Sequence, residues 1–177
     1  MAPRPASRAR VLVIVGAECT GKSTLMSELA RALQTPGRRI ACVPETLRDW
    51  CDQHGRTPRA DEQAAIAATH TARIEAAALT HDLVLADTSA LVTAVYSEWL
   101  FHDPSLYADA VQAHAQVDLC LLTSTGLPWV ADGHQRDGPA ARDAFDALLR
   151  ARLLQHGLSW SVISGHGPKR LQAALVA

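Results

Sequence analysis

A glycine-rich segment directly after a short apolar strand constrains the fold of this chain more than any other feature. Residues 11–15 read VLVIV, a run typical of a strand buried on both faces of a parallel sheet. Residues 16–23, here called the phosphate loop, read GAECTGKS and fit the pattern G-x-x-x-x-G-K-[ST] at every fixed position. An amphipathic helix is predicted over residues 23–33. This order predicts an α/β fold of the P-loop NTPase class.

Apolar runs and turn residues continue the alternation of strands and helices to the end of the chain. The sequence predicts further strands over residues 39–43, 83–86, 117–122 and 159–163, and further helices over 46–53, 61–79, 91–101, 105–115, 140–155 and 168–177. Strands separated by helices indicate parallel crossovers, hence a five-stranded parallel sheet flanked by helices. We expect a disordered basic arm over residues 1–10 and one domain over residues 11–177, with a lid loop at about residues 125–138.

Charge and composition exclude several classes of protein. The chain has 17 basic and 18 acidic residues, so it lacks the basic excess of a nucleic-acid or acidic-membrane binder. Its longest wholly apolar run, residues 11–15, is too short to span a bilayer. The four cysteines form no C-x-x-C pair, which favours a reducing cytoplasm. We therefore expect a cytoplasmic protein that binds neither nucleic acid nor membrane, and homo-oligomer formation is left open.

The phosphate loop predicts ATP and Mg²⁺ as cofactors. Its glycines let backbone N–H groups converge on an anion at a helix N-terminus. Lys22 would face the β- and γ-phosphates, and the Ser23 hydroxyl would ligate Mg²⁺. Asp87 follows an apolar strand where a second ligand for Mg²⁺ would stand, although capping of the next helix also accounts for it. The residues expected around the nucleotide are Gly16, Glu18, Cys19, Thr20, Gly21, Lys22, Ser23 and Thr24.

The end of the second strand supplies candidate residues for a phosphate acceptor. Glu45, Arg48 and Asp49 follow this strand, and side chains at the carboxyl ends of parallel strands face the ligand site. Glu45 could take a proton from an acceptor hydroxyl, and Asp49 could hold ribose hydroxyls. A helix-terminal acid beside a solvated arginine accounts for these residues equally well.

Residues 128–138, PWVADGHQRDG, have the composition of a lid. Phosphoryl transfer must exclude water, and a mobile arginine can neutralise charge on the transferring group. Arg136 and Arg142 are the candidate arginines, and Trp129 is a candidate stacking platform. The alternative is a surface loop held by one buried tryptophan.

Four segments together resemble the kinase domain of NadR-type ribosylnicotinamide kinases. They are GAECTGKSTL at residues 16–25, E-x-x-R-D at 45–49, ADT at 86–88 and PWVADG at 128–133, and the resemblance extends over residues 11–175. It implies a nucleoside-kinase-like fold and transfer of the ATP γ-phosphate to the ribose 5′-hydroxyl of nicotinamide riboside, a reaction of NAD salvage. The implied catalytic residues are Lys22, Glu45, Asp87 and Arg136, with Ser23 and Asp87 on Mg²⁺. The residues implied around the riboside are Glu45, Arg48, Asp49, Trp129 and Asp132.

One departure from the family pattern keeps other functions open. Some members carry a tryptophan that stacks on nicotinamide just before the glutamate, and this chain has Pro44 there. The ring contact would then come from Trp50, Trp129 or another ring. Two alternatives stay open: a P-loop kinase for another nucleoside or small hydroxyl substrate, and an ATP-binding regulatory module.

Overall fold

A parallel β-sheet forms the centre of the protein. The structure is a computed structural model that describes residues 8–130 and 138–177. Within these residues five strands, all parallel to their neighbours, lie in the order β2-β3-β1-β4-β5. Their bounds are β1 Arg10–Val15, β2 Ile40–Val43, β3 Leu83–Asp87, β4 Leu119–Thr123 and β5 Ser161–Ile163. The predicted five-stranded parallel α/β sheet is thereby confirmed.

Helices connect successive strands, as parallel crossovers require. The described ranges contain seven: α1 Lys22–Leu33, α2 Thr46–His54, α3 Ala60–Ala78, α4 Ala90–Phe101, α5 Tyr107–His114, α6 Gly138–Gln155 and α7 Gly167–Val176. Each was predicted, with ends shifted by no more than two residues. None of these helices is long and apolar enough to cross a bilayer.

Both faces of the sheet carry a hydrophobic core, which explains the uninterrupted apolar run in β1. Val13 packs into the cluster beneath α3, α4 and α6, whereas Ile14 packs with Leu25 and Leu29 of α1 on the opposite face. Val13 and Ile14 are both fully buried because β1 lies between β3 and β4 and has helices above and below.

The folded unit begins earlier than residue 11, where the sequence places the boundary. Residues 1–7 of the predicted arm lie outside the described residues. Ala9 is buried, and the Arg10 backbone N–H donates to Asp82 O at 3.0 Å as the first residue of β1. The reason is sheet pairing, because β3 offers Arg10 a partner at Leu83.

Strand register brings the carboxyl ends of three strands to one edge of the sheet. Ile14 of β1 stands opposite Asp87 of β3, and Val15 stands opposite Leu122 of β4. The phosphate loop leaves β1 at this edge. In open parallel sheets ligands bind outside the carboxyl ends of the strands, so this edge is the candidate site.

Candidate active site

The loop between β1 and α1 has the backbone geometry of an anion cradle. Gly16, Cys19 and Gly21 adopt positive φ angles of 148°, 52° and 72°. Gly21 is the N-cap of α1 and has no side chain with which to cap it. The first N–H groups of α1 therefore have no side-chain partner within the helix end and are available to an anion.

Residues behind the loop hold it against β4 and α7. The hydroxyl oxygens of Thr20 and Thr123 lie 2.7 Å apart, so one hydroxyl donates to the other. Thr20 Oγ1 also lies 2.8 Å from Ala17 O and Thr123 Oγ1 lies 3.1 Å from Val15 O, and the hydroxyl that accepts donates in turn to its carbonyl. The buried guanidinium of Arg170 donates to Thr20 O. Burial lowers the pKa of Arg170, which nevertheless remains charged because arginine titrates far above neutral pH. Sequence reasoning missed Thr123, whose only signal is its place at the end of a strand.

Lys22 lies over the loop and faces an open cavity. Its Nζ donates to Ala17 O at 2.9 Å, so one rotation of a flexible stem would bring the ammonium to a bound phosphate. Lys22 lines a cavity of about 600 Å³, here called the phosphate cavity, together with Ser23 and Thr24.

Ser23 and Asp87 form a donor set that suits Mg²⁺. The Ser23 hydroxyl donates to Asp87 Oδ2, while Asp87 Oδ1 is buried with no hydrogen-bond partner among the described residues. An unpaired buried carboxylate oxygen is costly, and Mg²⁺ binds such oxygens together with phosphates and water. Within the described ranges, no group of three or more His, Cys, Asp or Glu side chains could hold a metal ion.

The Asp87 carboxylate does not cap the helix that follows it. The N-cap of α4 is Ser89, two residues further on, and the Asp87 carboxylate turns to Ser23. Asp87 is only 2% exposed and therefore belongs to the phosphate-loop site rather than to the helix end.

Glu45 and Arg48 form part of the wall of the phosphate cavity. Glu45 is the N-cap of α2, and its Oε2 lies 3.8 Å from Arg48 Nε. Both side chains line the same cavity as Lys22 and Ser23. The predicted acid and the predicted phosphate-binding residues therefore share one space.

Asp49 turns away from this wall. Its Oδ2 accepts a hydrogen bond from Arg73 Nη1 of α3 at 2.6 Å. A contact between Asp49 and ribose hydroxyls would have to compete with this ion pair. Nothing in the sequence signals Arg73, because it lies 24 residues away along the chain.

A second cavity, of about 360 Å³, lies between α2, α3, α4 and α6 and is here called the aromatic cavity. Its apolar walls include Tyr96, Trp99 and Phe145, and Glu18 reaches it from the phosphate loop. Sequence reasoning missed these rings. Tyr96 and Trp99 are three residues apart on one face of α4, but this helix is apolar enough to resemble pure core.

The start of the predicted lid lies against the phosphate loop. Trp129 Nε1 donates to Glu18 Oε1 at 3.1 Å, and Cys19 Sγ lies 2.8 Å from Val130 O. Arg142, one of the candidate lid arginines, instead donates from α6 to Leu127 O at 2.8 Å and is 8% exposed. It therefore anchors the segment. The other predicted lid residues, Asp132 and Arg136, lie outside the described residues.

Trp50 was one of the rings expected to contact the acceptor, because the chain has Pro44 where some family members have a tryptophan. Trp50 is instead packed against its neighbours on and after α2. Its ring stacks on His54 with 3.9 Å between centroids, and the Arg56 guanidinium lies 4.7 Å from its centroid. Tyr96, Trp99 and Phe145 line the aromatic cavity, and the Tyr96 ring stacks on Phe145 with 4.0 Å between centroids. These rings are therefore better placed than Trp50 to contact a planar ligand.

Comparisons with known proteins agree with this architecture. A family model described as "AAA domain" matches residues 11–170. The crystal structure of NadR protein in complex with NR has a TM-score of 0.74 at 21% identity, covering 95% of this chain and 49% of that one. NadR protein in complex with NAD and AMP-PNP gives a TM-score of 0.72 at 21% identity, covering 95% and 48%. The chain thus spans about half the length of these proteins and shares their fold. No curated protein matches it significantly.

Proposed function

The chain belongs to this AAA domain family, and on that premise we propose that it is an ATP-dependent kinase that phosphorylates the ribose 5′-hydroxyl of nicotinamide riboside. One observation carries the proposal. Lys22 and Ser23 of the phosphate loop line the same cavity as Glu45 and Arg48. A nucleotide switch needs only the phosphate-binding residues Lys22 and Ser23. A kinase also needs an acid close to the reacting atoms, as Glu45 would be.

The chemistry follows from positioning and charge neutralisation. Backbone N–H groups of the phosphate loop and Lys22 would hold the β- and γ-phosphates. Mg²⁺ held by Ser23 and Asp87 would neutralise charge on the phosphates when bound. Glu45 would accept the proton of the ribose hydroxyl while the bond from that oxygen to the γ-phosphorus forms and the bond to the β,γ-bridging oxygen breaks. Arg48 would balance the charge on Glu45 or on the transferred group.

The acceptor ring would occupy the aromatic cavity. A volume of about 360 Å³ lies in the range of small-molecule sites, and aromatic rings such as Tyr96 and Trp99 line it. Trp129 would contribute by holding Glu18 at the border of this cavity. By resemblance, Asp132 would contact the riboside and Arg136 would belong to the lid. Asp49 would contact the ribose in place of Arg73.

The test is ADP release from Mg-ATP with a panel of nucleosides that includes nicotinamide riboside, adenosine, cytidine and uridine. Selective stimulation by nicotinamide riboside supports the proposal. Selective stimulation by another nucleoside replaces the acceptor and keeps the kinase. ATP binding without stimulation by any nucleoside contradicts the kinase and favours the regulatory module.

Two matched pairs of variants test the residues. Lys22→Ala should lower kcat by at least ~100-fold, whereas replacement of the chain's only other lysine, the exposed Lys169, should leave it unchanged. Glu45→Gln should retain ATP binding and lose transfer, with the exposed Asp52→Asn on the same helix as its control. Transfer at the normal rate by Glu45→Gln would remove Glu45 as the base.

A further inference from the structure

A buried histidine outside both large cavities joins the two halves of the candidate site. His70 lies on α3 and is 3% exposed. Its Nδ1 is 2.9 Å from Thr46 Oγ1, and its Nε2 is 3.2 Å from Thr88 O. Thr46 directly follows Glu45, and Thr88 directly follows Asp87. The imidazole therefore links the segment that carries the candidate base to the segment that carries the candidate metal ligand.

The chemistry of the partners assigns the proton on this ring. A carbonyl oxygen only accepts, so Nε2 must donate to Thr88 O. Burial lowers the pKa of His70 and favours the neutral ring, in which Nδ1 accepts from the Thr46 hydroxyl. Thr46 Oγ1 in turn accepts from Arg73 Nη1 at 3.2 Å. The three hydrogen bonds run in one direction, from Arg73 through Thr46 and His70 to Thr88.

The bond to Thr88 acts on a strained residue. Thr88 has a φ of +72°, a left-handed conformation that is unfavourable for a β-branched residue. Its N–H donates to Ile14 O at 2.9 Å, and its carbonyl accepts from His70. Loss of the imidazole would free one of these two restraints. Because Asp87 precedes this residue, relaxation of Thr88 would turn the carboxylate that faces Ser23.

The other end of the network acts on Glu45. This residue is the N-cap of α2 and makes no side-chain capping bond to that helix. The next residue, Thr46, is buried and bonded to both His70 and Arg73. Glu45 and His70 also border one small cavity of about 10 Å³, room for at most a single water molecule. Little space separates the ring from the segment it holds.

We propose that His70 is a positioning residue for phosphoryl transfer, which sets Glu45 relative to Asp87 through Thr46 and Thr88. His70 does not occur among the described residues that line the phosphate or aromatic cavity, so it acts through these two threonines. The kinetic test of this inference rests on the proposed function. The nucleotide-binding test does not, because it needs no phosphate acceptor.

The test compares His70→Gln with His70→Leu. Glutamine offers an acceptor and a donor on neighbouring atoms, as the neutral imidazole does, whereas leucine fills space without either. We expect His70→Leu to lower kcat by roughly 10- to 100-fold, because a displacement of about 1 Å has effects of this size. The KM for the nucleoside should change less than ~3-fold, because the aromatic cavity is not touched. His70→Gln should recover kcat to within about 3-fold of the unsubstituted chain.

A control variant at another buried histidine separates the effect of the place of His70 from the effect of losing any buried imidazole. His114 is also a buried histidine with a pKa lowered by burial, and its Nδ1 has no partner among the described residues. His114→Leu should leave kcat unchanged. If His70→Leu and His70→Gln are equally active per folded molecule, the ring merely fills space and the proposal is overturned. Leucine and glutamine are used rather than alanine because both fill the space of the buried ring.

A binding measurement keeps this proposal separate from the proposed function. Because Thr88 adjoins Asp87, His70→Leu should weaken AMP-PNP affinity about 10-fold in Mg²⁺ and leave it unchanged in EDTA. His70→Gln should restore the Mg²⁺-dependent part. Absence of nucleoside-stimulated turnover in the unsubstituted chain would contradict the proposed kinase function but not the role of His70. An unchanged Mg²⁺ dependence in His70→Leu would contradict the role of His70.

Discussion

Replacing Gly16 with alanine tests why the phosphate loop begins with glycine. A Cβ at this position would lie 2.2 Å from Thr123 Oγ1 and 3.0 Å from Thr123 O. Ordinary contacts between such atoms are about 3.5 Å or longer, so the hydroxyl would have to move by more than ~1 Å. It would then lose its bonds to Thr20 and Val15 O. The constraint comes from close approach of β4, before any phosphate is bound.

The magnitude can be worked from these contacts. Overpacking costs about 1–3 kcal/mol, and disruption of the buried hydroxyl pair adds roughly 1 kcal/mol. The φ of +148° adds about 1 kcal/mol for any residue with a Cβ. We expect Gly16→Ala to lower the free energy of unfolding by about 3–5 kcal/mol. AMP-PNP affinity should also fall, because the cradle starts at this residue.

The assay is urea unfolding followed by tryptophan fluorescence, with Gly37→Ala as the control. Gly37 has a φ of +81° and nothing within 4 Å of its added Cβ, so its substitution isolates the backbone cost of about 1 kcal/mol. The double variant Gly16→Ala, Thr123→Ala should lose about 1–2 kcal/mol less free energy of unfolding than the sum of the two single losses, because the clashing hydroxyl is gone. Equal losses for Gly16→Ala and Gly37→Ala would refute the argument from steric contact.

Three further perturbations probe charge, loop support and the acceptor side. The hydrogen bond from Arg152 lowers the pKa of Glu98 from 4.5 to about 2, so its stabilisation is present above pH 4.5 and is lost as the pH falls toward 2. Glu98→Gln should therefore reduce the drop in stability between pH 5 and pH 2 by about 1 kcal/mol after solvent screening, which urea unfolding across this range would measure. Arg170→Met removes the donor to Thr20 O and should weaken AMP-PNP binding at least ~5-fold, measured by calorimetry; wild-type affinity would show that the loop holds its shape unaided. Trp129→Phe keeps the ring and loses the bond to the loop glutamate, so the KM for the nucleoside should rise a few-fold with ATP affinity unchanged; steady-state kinetics that show the reverse would place Trp129 on the nucleotide side.

Local patterns in the sequence were sufficient for the sheet and for the nucleotide half of the site. The apolar run of β1 predicts burial on both faces, and the spacing in residues 16–23 predicts a cradle followed by a helix. These features depend on neighbours within a few residues, so backbone geometry alone determines them. Asp87 was also predictable, because it ends the third strand and every strand end in a parallel sheet points to the ligand edge.

Only the tertiary structure decided what surrounds these residues. Thr123 and Arg170 support the phosphate loop from more than 100 positions away, and Arg73 takes the carboxylate of Asp49. Sheet register and helix packing determine such partners, and the periodic patterns along the chain do not show which distant residue each side chain meets. For the same reason nothing in the sequence distinguishes His70 from an ordinary surface or core residue. In the folded protein it is the side chain that joins the segments of Glu45 and Asp87, because α3 packs across the ends of both.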